Sequence, residues 1–236
     1  MKLVLLPGMD GTGNLFSPLL GELSEFNCEV ITLPISGPQD YTTITEFVKG
    51  KLPKEDFILV AESFSGPIGV ALAKEGVENM KGIIFVATFL SPPHKILLGF
   101  ARLLPIKLLT SLPLASILHR LLFLGFSASK ELMALFQHTV LSLPSSLIKA
   151  RLSSMQSLVA TLDDIDLPVG YIQATSDRLV RSNKINNFRD TFKNIIIKTI
   201  NGPHFILQAN PIACAVAITE LVHLLVSSSK CESHRY

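Results

Sequence analysis

The stretch Phe57-Ile58-Leu59-Val60-Ala61-Glu62-Ser63-Phe64-Ser65-Gly66-Pro67-Ile68-Gly69 decides how the rest of the chain is read. A short apolar run rich in β-formers ends at Ala61, and a helical pattern of small residues starts at Phe64, with one serine between them. A strand that turns sharply into a helix at a serine is a nucleophile elbow. The serine takes a strained backbone conformation that projects its hydroxyl, and strand and helix then run so close that bulky flanking residues would clash. Ala61 and Ser65, two positions to either side of Ser63, meet that size limit, although glycine is commoner at both places. If Ser65 were the projecting serine, Ser63 and Pro67 would flank it, and proline fits badly there. Ser63 is the better candidate.

Outward from the elbow, continuous apolar runs at 2–6, 28–33, 57–61, 81–87, 168–174 and 194–200 have the character of strands buried on both faces of a parallel sheet. Helical patterns lie between them, at about 14–23, 41–51, 64–75, 182–191 and 211–226, and 227–236 looks like a frayed polar tail. Asn14 or Thr12 is placed to cap the first helix. The rhythm breaks between 91 and 161, where leucine-rich helical patterns are interrupted by prolines and no strand-like run occurs. The expectation is a mainly parallel, doubly wound α/β sheet of about six strands, built from 1–90 and 162–236. A helical cap insertion over 91–161 would cover the carboxyl ends of the strands.

With 236 residues, 48% hydrophobic and 17% charged, the chain can bury a large core. A net charge of +2 favours no nucleic acid, and charges and prolines interrupt every apolar run, so no segment qualifies as a transmembrane helix. The N-terminal apolar run is too short for a signal peptide. Cys28, Cys214 and Cys231, odd in number and widely spaced, fit reduced thiols of a cytoplasmic protein, not a disulfide framework or a zinc site. His94, His119 and His138 fall in the insertion at separations that match no metal-ligand motif, so no metal and no cofactor is expected; they are lid or surface histidines.

A serine nucleophile needs a base, a group that orients the base, and donors for the oxyanion. Asp177 follows the run 168–174, and His204 follows the run 194–200, giving the chain order Ser, Asp, His. In that reading His204 takes the Ser63 proton, Asp177 fixes the imidazole tautomer, and an acyl-enzyme forms and is hydrolysed. The turn Pro7-Gly8-Met9-Asp10-Gly11 follows the first strand, where a backbone donor belongs; the N–H groups of Met9 and Phe64 are the oxyanion candidates. Asp10 is a turn-former. Glu62 is structural, Cys28 is a core residue, and Asp163, Asp164 and Asp166 precede a strand, at the wrong end of the sheet for catalysis.

These residues carry a resemblance. From the 7–13 turn through the Ser63 elbow to Gly202-Pro203-His204, the chain resembles the α/β-hydrolase superfamily, and Leu-Leu-Pro-Gly-Met-Asp-Gly-Thr-Gly with Glu-Ser-Phe-Ser-Gly is similar to small bacterial esterase/thioesterase-like serine hydrolases. Both segments are also similar to the hydrolase-like domain of plant phytyl ester synthases. The resemblance implies Ser63 as nucleophile, Asp177 as acid, His204 as base, and Met9 with Phe64 as oxyanion residues. The chain departs from the pattern in starting at the strand before the oxyanion turn, without antiparallel leading strands, and in having Ala61 and Ser65 for the elbow glycines.

The expected function is cleavage of a carboxylic ester or thioester of an apolar acyl group. The alternatives are acyl transfer through the same residues and non-catalytic small-molecule binding on the same fold. The insertion holds seven of the chain's Lys/Arg (Lys95, Arg102, Lys107, Arg120, Lys130, Lys149, Arg151) against one acid, Glu131. That bias fits either a positive rim that meets an anionic acyl carrier or lipid surface, or lysines that are merely solvated.

Overall fold

The computed structural model describes residues 1–94, 115–159 and 163–232. Six strands form one sheet, β1 (Lys2–Leu6), β2 (Asn27–Val30), β3 (Phe57–Glu62), β4 (Met80–Val86), β5 (Val169–Ala174) and β6 (Ile195–Ile200), in the order β2-β1-β3-β4-β5-β6. Every neighbouring pair is parallel. Parallel strands need crossover connections, and helices α1 (Ser17–Glu22), α2 (Tyr41–Lys49) and α3 (Gly66–Lys74) supply them in the first half of the sheet. This is the α/β-hydrolase fold that the resemblance implies.

The sheet's inner strands read as unbroken apolar runs because both of their faces are covered. All six residues of β3 are buried. On one face Val4, Leu59, Phe85 and Tyr171 join Ile44, Ile68, Phe188 and the insertion residues Leu147 and Leu152. On the other, Leu3, Leu5, Ile58, Ile84 and Ile172 pack on Leu19, Ile218, Leu221 and Leu225.

Within the insertion, the described residues form α4 (Ala115–His119), a π-helical turn at Arg120–Leu124, α5 (Lys130–Ser142) and α6 (Ser145–Ser157). Ser129 caps α5 by accepting from the Leu132 N–H at 3.1 Å. A third apolar cluster, with Leu124, Leu132, Met133 and Phe136, seats these helices on Leu15 and Phe205. Leu15 follows the first turn and Phe205 follows His204, so the insertion packs on two of the loops at the carboxyl end of the sheet. Lys95, Arg102 and Lys107 lie outside the described residues.

After the insertion come β5, α7 (Ile185–Arg189), β6, α8 (Ile206–Ala209) and α9 (Pro211–Glu232). Three local expectations are corrected. The first helix opens differently: a 3-10 turn at Asn14–Phe16 comes first with Gly13 before it at φ 77°, Asn14 lies inside that turn, and the Thr12 hydroxyl accepts from the Asn14 N–H at 3.2 Å where the turn begins. The last helix does not end near 226 but runs on to Glu232, because the serine-rich tail holds no glycine or proline to stop it, and Ser227 Oγ bonds back to the His223 carbonyl at 2.8 Å. Arg151 is not a rim charge, for it has no exposed surface at all.

Candidate active site

Ser63, Asp177 and His204 follow β3, β5 and β6, so all three come off the carboxyl ends of parallel strands, where a doubly wound sheet opens its crevice. Ser63 has φ 47°, left-handed backbone that a residue with a Cβ rarely adopts. Three contacts hold it there. The Thr88 hydroxyl donates to the Ser63 carbonyl. The Ser65 hydroxyl, fully buried, donates to the Pro7 carbonyl at 2.5 Å. Gly66 gives room, since a Cβ there would stand 2.0 Å from Thr88 Oγ1. The tightest size limit therefore falls on Gly66, and Ser65 uses its hydroxyl to tie the elbow to the end of β1. That bond also removes Ser65 as an alternative projecting serine.

Ser63 Oγ lies 2.9 Å from His204 Nε2, and His204 Nδ1 lies 2.7 Å from Asp177 Oδ2. With Asp177 ionised, Nδ1 carries the proton and donates to the carboxylate, which leaves Nε2 to accept from the serine hydroxyl. Asp177 Oδ1 accepts from the Leu179 and Val180 N–H groups, each at 2.8 Å, so its other oxygen is aimed at the ring by its own loop. The imidazole is buried, and burial alone would pull its pKa down. Attraction by Asp177 and its hydrogen bond, helped by the charge of Glu62, outweigh burial and hold it above the ordinary histidine value.

Glu62, the residue before the serine, is a buried carboxylate with partners of its own. Gln208 Nε2 in α8 donates to Glu62 Oε1 at 2.9 Å, and the Gly8 backbone bonds the same carboxylate. Burial, opposed by the Gln208 bond and reinforced by Asp10, pushes its pKa up to about 7. Sequence separation hid this link; the one available signal was a carboxylate placed between a fully apolar strand and a packed helix.

The turn after β1 closes with the Gly11 N–H on the Gly8 carbonyl at 3.1 Å, which makes Met9 and Asp10 its middle residues. Gly8 abuts the elbow: a Cβ on it would lie 3.7 Å from the Ser63 Cβ. Asp10 Oδ2 accepts from the Thr12 N–H at 2.9 Å and the Thr12 hydroxyl at 2.6 Å, the local bonding expected of a turn-former. Burial raises its pKa against those bonds and against attraction by Arg151.

The remaining candidates lie apart from this group. Asp163 and Asp166, before β5, pair with Lys74 at 2.7 Å and Lys193 at 3.2 Å. Cys28 is half-buried in β2. His94 contacts Arg181 at 3.3 Å, His138 is exposed, and His119 is buried against the Phe136 ring at 5.0 Å. No helix among the described residues is long and apolar enough to cross a membrane.

Comparisons with known proteins agree with this architecture. Among solved structures, a lipase-esterase related protein from Clostridium acetobutylicum superposes with a TM-score of 0.76 at 16% identity, covering 93% of each chain. The enol-lactonase from Burkholderia xenovorans gives 0.77 at 14% identity, covering 94% of this chain and 91% of the other. A hydrolase from Pseudomonas aeruginosa gives 0.75 at 13% identity, covering 94% and 89%. At such identities the likeness is one of fold. Comparison with curated protein sequences finds no match. The model of the family described as serine aminopeptidase, S33 matches residues 38–202, well over half of the chain and spanning Ser63, Asp177 and the insertion between them. The chain therefore belongs to that family of the α/β-hydrolase superfamily and is a hydrolase of the α/β-hydrolase class.

Proposed function

We propose that this hydrolase cleaves a carboxylic ester or thioester of an apolar acyl group by a serine mechanism. Ser63 Oγ attacks the acyl carbonyl while His204 Nε2 takes its proton. The tetrahedral intermediate collapses as His204 returns that proton to the leaving alcohol or thiol, and water then releases the acid by the same two steps. Asp177 holds the ring in the tautomer that accepts and steadies the imidazolium. The N–H groups of Met9 and Phe64 receive the developing oxyanion, an interaction worth about 3 kcal/mol per donor in other enzymes. The observation that carries this reading is the unbroken chain Asp177–His204–Ser63, at 2.7 and 2.9 Å, ending on a serine held at φ 47°.

The apolar preference rests on what the insertion brings near His204: Phe205 next to it in sequence, with the rings of Phe123 and Phe136 at 5.8 and 5.4 Å from Phe205. In this proposal the insertion helices α4, α5 and α6 act as the lid of the acyl cleft.

The test is turnover of p-nitrophenyl esters and matched acyl thioesters of increasing chain length, with an amino-acid p-nitroanilide as the amide comparator. Wild type is expected to hydrolyse esters with a rate that rises with acyl length to an optimum, and Ser63→Ala to lose roughly four to six orders of magnitude in kcat. Amide turnover exceeding ester turnover would overturn the substrate assignment.

A further inference from the structure

The buried face of α6 carries Leu147, Ile148, Leu152 and Met155, and Arg151 lies among them with no exposed surface. A guanidinium so deeply buried is tolerated only where acceptors surround it. Arg151 Nη1 donates to the Met9 carbonyl at 2.7 Å, Nη2 to the Pro34 carbonyl at 2.9 Å, and Nε to Gln39 Oε1 at 2.9 Å. Its Cζ stands 5.8 Å from the centroid of the Phe64 ring. It also fills the space beside Gly11, where a Cβ would meet Nη1 at 2.4 Å.

One side chain of the insertion thus touches both Met9 and Phe64. The contact with Met9 is specific in its chemistry. Met9 and Asp10 are the middle residues of the 8–11 turn, and the peptide between them is the one that the closing Gly11–Gly8 bond does not hold. Arg151 holds that peptide by its oxygen with a charge-assisted bond, and Asp10 adds attraction to the same guanidinium. Ser154, also on α6, donates to the Gln39 carbonyl at 2.7 Å, so the helix grips the 31–40 loop and the turn together.

We propose that Arg151 is a positioning residue of the reaction. Through the Met9 carbonyl it fixes the far side of Met9, while the Gly11–Gly8 bond holds the peptide that carries the Met9 N–H. It thus makes the turn that aims this N–H at the oxyanion conditional on the insertion being seated. The inference rests on the assignment of Met9 and Phe64 as oxyanion donors. Lysine cannot replace it, because one ammonium lacks the planar fork that reaches three acceptors in different directions.

The test compares wild type with Arg151→Lys and Arg151→Ala on a p-nitrophenyl ester and on an alkyl trifluoromethyl ketone. The ketone reports the oxyanion alone: Ser63 Oγ bonds to its carbonyl carbon, His204 takes the hydroxyl proton, and the carbonyl electron pair becomes an oxyanion with no leaving group. Arg151→Lys should lower kcat by about 10- to 100-fold with KM nearly unchanged. The ketone's inhibition constant should rise by the same factor as kcat/KM falls, as it must if the transition state alone is affected. Millimolar guanidinium chloride, unlike sodium chloride at equal ionic strength, should restore part of the rate of Arg151→Ala. Should Arg151→Ala fail to fold, Gln39→Met, which removes the acceptor of Nε together with the Gln39 amide's bonds to the Pro34, Ser36 and Gly37 carbonyls, should show the same pattern with a smaller fall.

Variants with wild-type kcat and ketone affinity, or with losses confined to KM and melting temperature, would overturn the clamp while leaving the serine mechanism standing. A wild type inert to both ester and ketone would overturn the serine mechanism and the clamp with it.

Discussion

Two carboxylates act on His204, and the fold treats them in opposite ways. Asp177 sits in a loop whose own backbone supplies the Leu179 and Val180 N–H groups to one oxygen, and the imidazole takes the other. Glu62 sits at the end of a strand buried throughout, with the Gln208 amide on one oxygen and Asp10 as a like-charged neighbour. Charge built into a turn keeps donors close because the turn's amides have no other partner. Charge at a buried strand end must draw donors from distant segments, and burial then lifts its pKa to about 7. The first carboxylate suits a group that orients the imidazole. The second suits a group that changes charge near neutrality.

The largest effect should come from Asp177. Under the proposed mechanism Asp177→Asn keeps the shape of the loop but leaves the ring free to take the wrong tautomer, and kcat should fall by about 10⁴-fold, as it does in characterised Ser-His-Asp enzymes. A fall below tenfold, measured with a short-chain p-nitrophenyl ester, would remove Asp177 from the mechanism.

Glu62→Gln is the intermediate case, and its signs can be worked out. The folded pKa of Glu62 lies above its ordinary value, so between about 4.5 and about 7 the folded chain holds a proton that the unfolded chain has lost. Stability therefore declines as pH rises across that window, by about 3 kcal/mol at most. Glu62→Gln should abolish this part of the decline, seen as a melting temperature less sensitive to pH than that of wild type. Identical profiles would show that the carboxylate is not desolvated.

The same substitution should move activity. In the proposed mechanism neutral His204 is the base, and its pKa stands above the ordinary histidine value, so kcat/KM should fall as pH drops through that raised value. Removing the Glu62 charge takes away one of the influences that raise it. The acid limb of Glu62→Gln should then lie at lower pH than that of wild type; an unmoved limb would mean that Asp177 alone sets the imidazole.

The smallest effect concerns ionic strength. Buried charges are screened little and exposed ones strongly. Added salt should leave the acid limb nearly in place. If exposed Lys130 and Lys149 draw in an anionic thioester, its KM should rise with salt by a few fold. A salt-independent KM would dispose of the positive rim, which has already lost Arg151 to the interior.

The contrast also explains what was legible beforehand. Asp177 and His204 could be read because each comes just after an apolar strand run, and a parallel sheet gathers those positions at one end. Ser63 could be read because the backbone strain at the elbow restricts its neighbours to small residues. The Glu62–Gln208 bond and the Ser65 hydroxyl on Pro7 were not legible, for nothing local marks a partner so far along the chain. Arg151 carries a signal in the helical spacing. Leu147, Ile148, Leu152 and Met155 define an apolar face by helical spacing, and Arg151 stands on that face, three residues past Ile148. Its charge resembles those of the solvated lysines around it, but the helix period places it inside.

The most direct test of the central claim is intact-mass and peptide-level mass spectrometry after treatment with an alkyl fluorophosphonate, which a serine attacks only when a neighbouring base activates it. The account predicts one adduct per wild-type chain, located on Ser63, with no adduct on Ser63→Ala and far slower labelling of His204→Ala. An adduct on another serine, or equal labelling of wild type and Ser63→Ala, would contradict it.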